Sequence, residues 1–138
     1  MGAGEDRVIE AFEKVRKKFL FSDVKLHQSI ELPEITILSC KGKIGSLIGR
    51  NGIIVAELSK ELGNKVRIVE HSQNTKKTIT DMIGNARLLG VNEIYSPEGK
   101  SVKVILHHAD RKRLAAKPEH LEQALEKLTE AKTSIEFQ

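Results

Sequence analysis

The chain has 138 residues, 39% of them apolar and 30% charged, a globular balance that leaves room for one compact domain or two very small ones. No apolar run approaches the ~20 residues that cross a bilayer, and the N-terminus lacks the basic-then-apolar pattern of a secretory signal, so the expected location is the cytoplasm. Cys40 is the single cysteine, which excludes an intrachain disulfide and a cysteine-based metal site. The net charge is +4, and its distribution is even: residues 1–71 hold 12 basic and 10 acidic side chains, residues 72–138 hold 11 and 9. Charge alone therefore names no partner. Three clusters are suited to phosphate, namely Lys14-Arg16-Lys17-Lys18, Lys41-Lys43-Arg50 and Arg111-Lys112-Arg113.

Val8, Phe12, Val15 and Phe19 recur at helical spacing and predict a helix over 6–21. Strands follow at 24–30 and 34–41, the second rich in β-branched residues, with Pro33 in the turn between them. A short helix is expected near 44–48, then a glycine loop at 49–52, then a helix over 53–62. Gly63-Asn64 stops that helix, and Lys65 to Glu70 is a third strand. The order is α-β-β-α-α-β, and it then begins again. A helix is expected over 75–89, closed by Gly90, with Ile79, Met82, Ile83 and Ala86 on one face. Strands at 91–96 and 101–107 flank a turn at Ser96-Pro97-Glu98-Gly99. Asp110 is expected to cap a short helix over 111–116, Pro118 opens a helix over 118–130, and Ser134 to Phe137 is the last strand.

The two halves align without gaps at an offset of 67, which pairs Val24 with Val91, Ser29 with Ser96, Leu47 with Leu114, Leu58 with Leu125 and Ile68 with Ile135. The expected fold class is α+β, with two three-stranded sheets, each covered by helices on one face.

The chemistry concentrates in Leu47-Ile48-Gly49-Arg50-Asn51-Gly52-Ile53-Ile54-Val55. Two glycines bracket two polar residues between two helices. Glycine permits backbone conformations closed to other residues and a close approach by a ligand. The loop ends at a helix start, where unpaired N–H groups favour an anion, and Arg50 adds a cation. This Leu-Ile-Gly-x-x-Gly-x-x-Val pattern, after two strands, resembles the KH signature, whose loop clamps single-stranded nucleic-acid backbone. The element order resembles the type II KH arrangement, and two such domains in tandem resemble the archaeal NusA-like transcription factors. The resemblance implies a first KH domain at 5–72 with an intact loop and a degenerate second at 73–138. It implies single-stranded RNA as partner, with RNA polymerase or another RNA-processing protein as a further one, and a role in transcription elongation or termination. Carried over by position, Gly49, Arg50, Asn51 and Gly52 would hold the RNA backbone. Ile44, Ile48 and Val55 would line the groove, and Lys41, Lys43, Lys65 and Arg67 would flank it. Ile53 and Ile54 stand where the family usually has polar or basic residues; Ile53 is expected to be exposed beside the clamp, placed to touch an RNA base or a protein partner, with Ile54 in the core.

In the second half Ala116-Lys117-Pro118-Glu119 replaces the loop. Proline brings no N–H and Glu119 brings a negative charge, so no clamp is expected there. His107-His108 would point to opposite faces of a strand, which argues against a metal site. No set of residues suits catalysis and no cofactor is expected, so the chain reads as a binding protein rather than an enzyme. Two alternatives stay open: a KH module of an RNA-processing or ribosome-associated assembly, and a structural module that contacts protein through Ile53 and the basic clusters.

Overall fold

Val8, Ala11, Phe12 and Val15 recur every three or four residues, and all four are buried along one side of a helix, α1 (Ala3–Phe19). The computed structural model that shows this describes residues 3–21, 23–48 and 52–138. The chain divides into two units, Met1–His71 and Ser72–Gln138, and each is an α+β body with its own three-stranded sheet. No helix among the described residues is long and apolar enough to cross a membrane.

In the first unit, β1 (Val24–Glu31) pairs antiparallel with β2 (Ile35–Gly42), and β2 pairs parallel with β3 (Lys65–Glu70). The parallel pair needs a crossover, which α2 (Gly45–Ile48) and α3 (Ile53–Leu62) provide. Side chains alternate along a strand, so Leu38, Cys40 and Ile68 share the face that meets α1 and α3. They join Val8, Phe12, Val15, Phe21, Val24, Leu47, Leu58 and Leu62 in one core. Arg16 locks the chain as it leaves α1. Its guanidinium donates to the Phe21 and Val24 carbonyls and lies 5.0 Å from the Phe21 ring centre and 5.2 Å from that of Phe12.

In the second unit, α4 (Thr75–Ile83) precedes β4 (Leu88–Ser96), β5 (Gly99–Leu106), a 3₁₀ turn (His108–Arg113), α5 (Pro118–Thr129) and β6 (Lys132–Phe137). The β4-β5-β6 sheet repeats the antiparallel-then-parallel pattern of the first. Asn74 caps α4 by accepting from the Lys77 N–H at 3.2 Å. Four expectations fail here. The helix stops six residues before 89, because Gly84 takes φ 63 and ψ −120 and breaks it. Gly90 is a strand residue opposite Ile105, just past a bulge at Leu89. Asp110 is no cap; His107 is, its Nδ1 accepting from the Ala109 N–H at 3.1 Å. His107 and His108 do not point apart either. They sit where the strand gives way to the 3₁₀ turn, and their rings stack at 4.6 Å.

The repeat also needs gaps. An offset of 67 holds for β3 against β6, and for the left-handed residues Gly63 and Glu130 that end α3 and α5. In the central strands it is 66, since Ile35 faces Lys65 while Ser101 faces Lys132. In the first strands it is 62, since the bulges fall at His27 and Leu89. Leu38 therefore matches the fully buried Val104, not Ile105, which points to the other face. Val24–Val91 and Ser29–Ser96 are not structural equivalents. The second hairpin is four residues longer, and the extra length carries the ladder out to the Ser96–Gly99 pair around Pro97-Glu98.

Candidate nucleic-acid interface

The approach to the glycine loop is fixed by backbone contacts. Gly42 ends β2 with φ +108, and a Cβ there would lie 2.0 Å from the Asp23 carbonyl oxygen. Only glycine fits, a requirement that the strand pattern in the sequence does not reveal. The Lys43 N–H donates to that same carbonyl at 3.1 Å. The Lys43 carbonyl then accepts from the Ser46 N–H at 3.0 Å and from Ser46 Oγ at 2.8 Å, which turns the chain into α2. Leu47 is fully buried and pins α2 to the core, with Ile44 half-buried beside it.

Gly49, Arg50 and Asn51 lie outside the described residues, as does the side chain of Ile48. The chain resumes at Gly52, which stands at the N-terminus of α3 with φ 69 and ψ 21. No side chain caps α3, and its first turn holds no acid. The first N–H groups of a helix have no partner within it, and here they meet no competing carboxylate from their own turn. Ile53 is 51% exposed. Ile54 and Val55 are half-buried against the core.

The flanking cations divide by sheet face. Paired residues share a face, so Lys41, Lys65 and Arg67 lie on the side opposite α1 and α3. Lys65 sits beside Ile35, seven residues from Gly42, which is roughly 23 Å along the strand at 3.3 Å per residue. Lys65 and Arg67 thus lie on the sheet face away from the helices that lead into and out of the loop, a placement that strand parity explains. Arg67 is half-buried, and desolvation lowers its pKa. Lys41 faces Lys25 across the ladder, near His27 and His71, whose rings lie 3.9 Å apart. Desolvation, then His71 and Lys41, lower the His27 pKa. Lys43 alone of the four lies on the path into the loop, exposed and in no ion pair among the described residues. The α1 cluster is largely committed: Lys14 pairs with Glu61 at 3.2 Å, Lys18 with Glu57 at 2.8 Å, and Arg16 holds backbone.

A second feature had no signature in the sequence. A cleft of about 600 Å³ opens between the end of α1 and the two helices that bracket the loop. Phe19, Leu20, Phe21, Asp23, Ser46 and Ile53 line it. Leu20 is 85% exposed and takes φ 55, a left-handed conformation uncommon for a leucine.

The corresponding segment of the second unit is built differently. Ala116 is buried, Pro118 occupies the first turn of α5 and supplies no N–H, and Glu119 puts an acid there. Of the nearby cations, Arg113 lies 3.6 Å from Asp110, and Arg111 lies 4.2 Å from the Phe137 ring centre. Among the described residues, no group of three or more His, Cys, Asp or Glu side chains could hold a metal ion.

No family model matches the chain, and no curated protein does. Among solved structures, the crystal structure of APE1850 is similar to it. The TM-score is 0.68 at 17% identity, over 96% of each chain. At that identity the likeness establishes a shared fold and carries no statement about ligand.

Proposed function

We propose that this chain binds single-stranded RNA through Gly49-Arg50-Asn51-Gly52, as a tandem type II KH protein of the NusA-like kind acting in transcription. The observation that carries the reading is the start of α3. A glycine in a left-handed conformation leads into a ten-residue helix with no side-chain cap and no acid in its first turn. That arrangement leaves N–H donors for an anion directly after a segment that carries Arg50. The path into it, through Gly42 and Lys43, is held by backbone contacts to Asp23. The α-β-β-α-α-β order of the first unit, with its antiparallel and parallel pairings, agrees with the type II arrangement. Phosphate contacts would position the strand, and the side chains beside the loop would select its bases. The second unit keeps the fold and, with Pro118 and Glu119 in place, would add little to the grip.

The test is titration of the whole chain with a pool of randomised single-stranded RNA at low and physiological salt. Binding that weakens linearly in log–log form as salt rises supports the reading. Absence of binding at low salt refutes it.

A further inference from the structure

We infer that the cleft between α1 and the loop-bearing helices receives an unpaired nucleobase, and that Asp23 selects a base with an exocyclic amino group. The inference rests on the RNA-binding reading and deepens it by assigning a specificity residue. Ser46 on one side of the loop and Ile53 on the other both wall the cleft, so a strand held at 49–52 has it within immediate reach. Its walls are the half-buried Phe19 ring, the exposed Leu20 and Ile53, and the half-buried Ile54. An aromatic ring with aliphatic neighbours suits the face of a base.

The polar groups then decide which base. The Ser46 hydroxyl proton is committed to the Lys43 carbonyl at 2.8 Å, which leaves its oxygen as an acceptor. The Asp23 carbonyl already accepts from the Lys43 N–H. The Asp23 carboxylate is exposed and has no hydrogen bond or ion pair among the described residues. A carboxylate only accepts. Cytosine, adenine and guanine each offer an amino group to it, whereas uracil turns two carbonyl oxygens outward and offers one N–H. The observations favour a base over an apolar protein side chain, because the cleft holds two acceptors, the Asp23 carboxylate and the Ser46 oxygen, and is walled by residues of both helices that bracket the loop.

The experiment measures binding of cytosine, adenine and uracil decanucleotides to the whole chain, to Asp23→Asn and to Ile53→Asp. Removing a negative charge strengthens binding to every RNA, so the readout is the ratio of affinities rather than their absolute values. The wild type is expected to favour the cytosine or adenine oligomer over the uracil oligomer. Asp23→Asn, which presents a donor beside its acceptor, is expected to reduce that ratio about fivefold or more, equivalent to about 1 kcal/mol. Ile53→Asp is expected to weaken binding to all three. Salt-dependent RNA binding whose base ratio and strength survive both substitutions would overturn the inference, leave the RNA-binding reading intact and assign the cleft to a protein side chain. Loss of all RNA binding by the wild type would overturn both.

Discussion

Gly42 lies so close to the Asp23 carbonyl that a single added carbon would stand 2.0 Å from its oxygen, and that carbonyl is what holds Lys43 at the mouth of the loop. Gly42→Ala must move one chain or the other. It is also strained at φ +108, so it should cost more than about 1 kcal/mol and weaken RNA binding by misplacing α2. Gly45→Ala is the control for stability: a Cβ there meets nothing within 4 Å, so unfolding should shift by no more than about 1 kcal/mol, in the stabilising direction. Denaturant titration of both variants checks this. Equal stability of the two would contradict the geometry.

Leu58 and Leu125 are both fully buried and occupy matched positions of α3 and α5. Leu→Ala at either should cost about 2–5 kcal/mol by leaving a cavity. Equilibrium unfolding in urea is the measurement, and a cost below about 1 kcal/mol at either site would show that its helix is not anchored as described.

Burial pushes the Cys40 thiol up to about 12, with Arg16 a smaller opposing influence. The thiolate is the reactive form, so the native thiol should be all but inert to a disulfide reagent at pH 8. Unfolded chain should react at least about a hundredfold faster. Rapid labelling of native protein would mean that β2 opens readily.

The Asp110 carboxylate accepts from the Arg87 Nε at 2.9 Å and from the Arg87 backbone N–H at 2.8 Å. These bonds hold its pKa well below the usual carboxylate range, with the Arg87 side chain the largest cause. A folded pKa below the unfolded one gives stability that is present above the unfolded value and is lost as pH falls through the folded one. Asp110→Asn should therefore lower the melting temperature at pH 7 by at least about 4 °C, and the gap to wild type should narrow toward pH 2. A gap independent of pH would remove the carboxylate's charge from the account.

The sequence was most legible where glycine and asparagine punctuate it. The expected helix over 53–62 and strand over 65–70 coincide with α3 and β3, because Gly52 and Gly63 both take left-handed conformations at the ends of α3. It was least legible where one signal had two readings. Gly84 and Gly90 both follow a helical pattern, and only the backbone distinguishes the breaker from the strand residue. Asp110 looked like a cap because caps and buried ion-pair acceptors use the same side chain; its true partner, Arg87, is 23 residues away. The ungapped repeat failed because register is set by bulges and hairpin length, which residue identity at one offset does not encode. At the candidate site, strand parity puts Lys65 and Arg67 on the sheet face opposite α1 and α3, and no pattern announced the cleft that Phe19, Leu20 and Asp23 form with Ile53.

The most direct test of the account compares two variants of the whole chain that add negative charge, Arg50→Asp with Asn51→Asp in one and Lys117→Asp in the other. RNA affinity is measured at physiological salt, after circular dichroism shows that both are folded. The account predicts that the first loses at least about tenfold in affinity, or about 1.4 kcal/mol, while the second stays within about twofold of wild type. An unchanged affinity in the first variant, or the larger loss in the second, would contradict the claim that the first unit's loop grips the RNA.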